Sequence, residues 1–217
     1  MRALTQPEVL RYSVTAAAIA SVLCLPRLWL WSERKHPLWY LEVLLLLGGT
    51  VLWAFVFAWH PKYTGQPVFR FKIEPRPVVT ITLTAIGIAA VLSLFVDPRL
   101  RSMTPADYPK SLQEWAARTL FSLAFTQVFL VFAPFAWLMR LFRDPKTAVG
   151  LTVLFGLFVM VVKNHSAPAP LPLGIFSGLL ALRVITGLVS IYCYLRGGAL
   201  LVWWWTLLLE IRHLASL

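Results

Sequence analysis

In a chain this apolar, few side chains are equipped for chemistry. They are Thr126-Gln127 in the middle of one apolar run, Arg183, Thr206 and Glu210 in later runs, and four histidines, His36, His60, His165 and His213. Two carboxylates on one spanning helix would make an acid–base centre, one activating water and the other holding the leaving-group proton. No such pair is present. HExxH is absent, and the histidines lie in or beside connections with no ligand spacing, so neither a metal site nor a Ser/His dyad is expected. Cys24 and Cys193 fall inside apolar runs, which argues against a disulfide framework or a Cys-rich metal centre. Trp203-Trp204-Trp205 is the densest aromatic feature; consecutive indoles point in different directions on a helix, so one should face lipid and another a neighbouring helix. That is packing, and no cofactor is implied.

The elements that must position these residues are membrane helices. Of 217 residues 59% are hydrophobic, and the mean hydropathy is +0.74, well outside soluble usage. Apolar runs of about 17 to 25 residues recur between short basic or Pro-rich connections, the pattern of a polytopic bundle. The 20 Lys and Arg against 9 Asp and Glu give a net charge of +11. These cations sit in the connections, as anchors towards lipid headgroups, and no basic stripe suits nucleic acid. Arg2 and Arg11 before the run Val14 to Leu25 imitate a signal peptide, yet the run continues through Pro26 to Trp31 without an Ala-x-Ala site. A retained first helix is expected.

The reading is all-α, with about seven spans. Helices are expected at Ser13 to Trp31 and at Leu38 to Trp59, stopped by His60-Pro61, with Glu42 near the start of the second. A polar arm, residues 62–77, follows, in which Val68 to Ile73 alternates like a short strand. Further helices are expected at Val78 to Val96 and, after a connection over residues 97–110, at Trp115 to Phe142. The latter opens on the capping-box pattern Ser111-x-x-Glu114 and carries a kink at Pro134. Asp144-Pro145 starts the next helix, to about Val162. The last two are Leu173 to Leu195 and Ala199 to Leu214, joined by a turn at Gly197-Gly198. Gly174, Gly178 and Gly187 are suited to close helix packing. The chain divides at 110/111 into three N-terminal helices and a four-helix C-terminal core. Ten Lys and Arg fall on one side of such a bundle and nine on the other, with Arg183 inside, so charge does not set the orientation.

Polar groups at membrane depth usually face protein or a cavity. Arg183 lies 14 residues before Gly197 and Glu210 13 after it, so in an antiparallel hairpin both sit about 20 Å from the turn. An intramembrane ion pair between them is the resulting expectation.

From Glu114 to Leu217 the chain resembles the membrane core of the CAAX-protease and bacteriocin-processing (CPBP, or Abi) family of intramembrane endopeptidases. The order and spacing of the apolar helices, the stretch ITGLVSIYCYLRGG from Ile185 to Gly198 and the closing helix carry the likeness. Family members have EExxxR in one helix, FxxxH in the next, a glycine-spaced helix and a final HxxxN or HxxxD. Here the glutamate pair falls on Thr126-Gln127 and the arginine on Val131. The histidine falls near Phe158 to Val162, or on His165, and the final motif falls on Thr206 and Glu210. Neither Thr126 nor Gln127 accepts a proton at physiological pH. The resemblance therefore implies a pseudoenzyme in a bacterial cytoplasmic membrane. Such a protein would be an accessory or assembly subunit whose partners are the lipid bilayer and other integral membrane proteins. The alternatives are an endopeptidase using His165 and Glu210, or a small transporter or channel using Thr126, Gln127, Arg183, Thr206 and Glu210.

Overall fold

A computed structural model describes residues 3–31, 35–167 and 169–217, with the backbone alone at Ser216. Arg2, the Ser32-Glu33-Arg34 part of the first connection and Pro168 of the Pro-rich loop lie outside it. Among the described residues there is no strand, only an isolated β-bridge, and six helices are long and apolar enough to cross a membrane.

The first, α1 (Pro7–Leu30), begins on a proline whose fixed φ suits the first turn, and it continues through Pro26. The second, α2 (Leu38–Thr64), runs past the expected stop at Pro61. It ends at Gly65, whose left-handed φ of 68° lets its N–H donate to the Pro61 carbonyl. The third, α3 (Pro75–Met103), extends through a π-helical turn at Leu92–Val96 into a region expected to be connection. Next, α4 (Leu112–Phe142) is capped by Ser111, whose hydroxyl accepts the Glu114 N–H at 3.2 Å. Two π-helical stretches, Ser122–Thr126 and Val128–Phe132, interrupt it just before Pro134. Asp144 caps α5 (Pro145–His165), accepting from the Thr147 N–H at 2.8 Å and from its hydroxyl. These bonds hold the Asp144 carboxyl below its usual range.

The last two expected helices are one run, α6 (Leu173–Ile211), of 39 residues, so the apolar helices number six rather than seven. It is not straight. Gly198 inside it has φ 66° and ψ −161°, and Phe176 near its start lines the same cavity as Glu210 near its end. A straight helix of that length would hold its ends about 58 Å apart. The run therefore doubles back at Gly198. Its turn is fixed against the arm after α2: Ala199 N–H donates to the Val68 carbonyl at 2.9 Å, Phe69 bridges Gly198, and Arg70 donates to the Arg196 carbonyl at 2.9 Å. The strand-like alternation at Val68 to Ile73 thus pairs with the turn of a distant helix.

The first limb of α6 packs on α5, where Gly187 meets Val153. The second limb packs on α3, where the Trp204 indole donates to Thr82 Oγ1 at 2.9 Å. Gly174 and Gly178 meet nothing within 4 Å, so the expected packing motif makes no helix contact inside this bundle. The core joins both halves of the chain, from Ala17 and Trp53 through Phe132 and Phe135 to Tyr194 and Trp205. Tyr194 stacks on Phe132 at 4.6 Å and lies 4.2 Å from His60. Trp205 is buried and Trp204 exposed, dividing the Trp run between neighbours and lipid as expected.

Candidate functional site: a charged cavity at one end of the bundle

At the end opposite Gly198, the C-terminal ends of α1, α3 and α5, the start of α4 and both ends of α6 surround a cavity of about 550 Å³. The segment between α3 and α4 forms one wall, held by Arg118. One Arg118 Nη donates to the Asp107 carbonyl at 2.6 Å, and the other donates to the Ala106 carbonyl at 2.7 Å and to Glu114 Oε1 at 2.9 Å. Lys163 on α5 approaches Asp107 at 3.4 Å. A second knot closes the far side: Arg212 donates to Asp97 Oδ2 at 3.0 Å, and the Tyr108 hydroxyl donates to Asp97 Oδ1 at 3.0 Å. Burial first, and then Asp97, push the Tyr108 phenol well above its usual value, so it stays a neutral donor. The His213 ring meets Tyr108 edge-on at 5.3 Å, and its Nε2 is 4.0 Å from Glu210 Oε2. Trp115 ties down the end of α6 by donating to the Glu210 carbonyl at 2.8 Å.

Of the residues expected to matter, Thr126 and Glu210 line this cavity together. Gln127 lies between the two π-helical stretches, half-buried, and its amide has no hydrogen-bond partner among the described residues. Val131 is buried and lines a separate void of about 10 Å³ with Gly156 and Arg183. Thr206 is buried and its hydroxyl has no hydrogen-bond partner among the described residues. His165 is exposed at the end of α5 and does not line the cavity; its neighbour Asn164 does. Asn164 Oδ1 accepts the Leu171 N–H at 3.0 Å, tying in the Pro-rich loop.

Arg183 and Glu210 do not pair. Arg183 lies against α5, close enough that a methyl on Gly156 would meet its Nη2 at 2.9 Å. Glu210 faces His213. Equal distance from the turn fixed their depth along each limb but not their direction: one limb packs on α5 and the other on α3, and the cavity opens between them.

The residues that shape the cavity most were read in the sequence only as interfacial anchors. Arg27, Arg118, Lys163 and Arg212 come from four segments and converge on it, against the carboxylates Asp107 and Glu210. Their common signal is position. Each lies within about two turns of a helix end on the same side of the bundle, so assigning alternate connections to one face collects them. The chain matches no known family model, no curated protein and no solved structure.

Proposed function

We propose that this chain is a non-catalytic integral membrane protein on a CPBP-like scaffold, an accessory or assembly subunit that holds another membrane component. One observation carries the reading. Around the cavity, Asp97 and Glu114 are each held by an arginine, and the positions where the resemblance calls for the glutamate pair hold Thr126 and Gln127, with Val131 in place of the arginine. A hydrolytic centre needs a base free to take a proton from water; the one carboxylate of the cavity not held by an arginine or lysine is Glu210, 4.0 Å from His213, and it lies outside the positions of the glutamate pair. The membrane-spanning plan remains, together with an apolar exterior that carries Trp29, Trp39, Trp137 and Phe158.

The test is purification of the native protein in mild detergent, followed by mass spectrometry of what stays attached. Stoichiometric co-purification with a larger membrane assembly is expected. A lone, monodisperse protein that cleaves membrane peptides would overturn the proposal. That second reading, an unconventional endopeptidase, draws on Glu210, His213 and Thr126 lining one cavity. It requires that Glu210→Gln abolish cleavage.

A further inference from the structure

The geometry points to a binding site for a phosphate group in the cavity, with Arg27 and Lys163 as its principal ligands and the headgroup of an anionic phospholipid as its source. The inference does not depend on the accessory role. Four cations and two carboxylates line one cavity, and Asp97 and Glu114 beside it bring the carboxylates to four. Gathering cations from four segments is unfavourable unless something negative offsets their repulsion. The carboxylates hold only two of the four cations closely. Arg212 is held by Asp97, with both side chains largely buried, and Arg118 by Glu114 and two carbonyls.

The remaining cations are available. Lys163 and Asp107 are 74% and 55% exposed at 3.4 Å, a pairing of the kind that contributes little and is readily exchanged. Arg27 has no hydrogen-bond or ion-pair partner among the described residues, and the Arg118 Nε–H is buried and unsatisfied. A guanidinium fork and an ammonium suit phosphate oxygens, with charge-assisted bonds stronger than neutral ones. The cavity volume of about 550 Å³ is in the usual ligand range of roughly 300–1,000 Å³. Its lining also includes the apolar side chains Phe121, Met160, Phe176 and Leu179. A lining that combines charge with hydrocarbon fits an amphiphile better than a free ion.

The experiment is calorimetric titration of the full chain in maltoside detergent with three probes: dihexanoyl phosphatidic acid, dihexanoyl phosphatidylcholine and inorganic phosphate. Saturable binding of the phosphatidic acid is expected. It should weaken about tenfold or more in Arg27→Gln and in Lys163→Gln and stay unchanged in Lys72→Gln, a cation exposed on the arm at the other end. Both cavity variants should keep the wild-type melting temperature, so that lost binding is not lost folding. Inorganic phosphate binding as tightly, with the same dependence on Arg27, would support the phosphate site and make a soluble phosphate compound its source. Equal binding of the phosphatidylcholine, or wild-type affinity in both cavity variants, would overturn the proposal.

Discussion

At the Gly198 end of the bundle, backbone lies on backbone: a methyl group on Gly198 would sit 2.5 Å from the Val68 carbonyl oxygen. At the opposite end, long charged side chains hold the same helices apart around about 550 Å³. The first end is closed by steric fit at the turn itself, with an apolar groove of about 710 Å³ beside it, lined by Tyr12, Phe57, Pro67, Val68, Phe69 and Trp203. The second is held by electrostatics between side chains, which single substitutions can loosen without disturbing the helices. Backbone contact fixes shape at one end, and charged side chains frame the cavity at the other.

The largest test of that contrast is Gly198→Ala. Its φ/ψ is open essentially to glycine alone and the added atom collides with backbone, so a loss of about 3 kcal/mol or more is expected in a denaturation series in mixed micelles. A change below about 0.5 kcal/mol would break the comparison. At the other end, Asp97→Asn removes the carboxylate shared by Arg212 and Tyr108. About 2 kcal/mol is expected, because the hydrogen bonds are charge-assisted and the pair is largely shielded. Smallest is Lys163→Gln, whose exposed pairing predicts a stability change under about 0.5 kcal/mol in the same assay. If it proved as costly as Asp97→Asn, the cavity would be a structural ion network rather than a space for a ligand.

Local features were legible in the sequence because their partners are only three or four residues apart. Asp144 caps α5 as expected, and Ser111 accepts from Glu114. Even there, the Glu114 carboxylate reaches back to the Lys110 N–H at 2.8 Å. The apolar runs marked the spans, since bilayer thickness imposes their length. Helix ends were less clear, because Pro61 is carried inside a helix it was expected to stop and the third helix runs on past Asp97. What stayed hidden depends on tertiary facing. Arg183 and Glu210 had the right depths and the wrong directions. Arg27 looked like any interfacial arginine until α1 was set beside α4. Thr126 and Glu210 were picked out as relics of a motif, and they do share a cavity, but its charged lining comes from residues that no motif contains.

The two π-helical stretches of α4 have a consequence for how this helix tolerates insertion and deletion. In an ordinary α-helix each residue gained or lost rotates everything beyond it by about 100°. A π-helical turn instead absorbs an extra residue as a wide loop of backbone, so that the faces on either side keep their headings. Here Arg118, Phe121 and Thr126 line the cavity while Phe132 and Phe135 pack in the aromatic core around Tyr194. Rewinding Val128–Phe132 as α with every residue kept would swing the cavity-facing half by about 100° against the core-facing half, whereas deleting one residue there would let the stretch rewind with both headings kept. The widened turns thus act as a phase adjuster: one continuous helix serves two environments whose directions a regular 3.6-residue repeat would not bring into line.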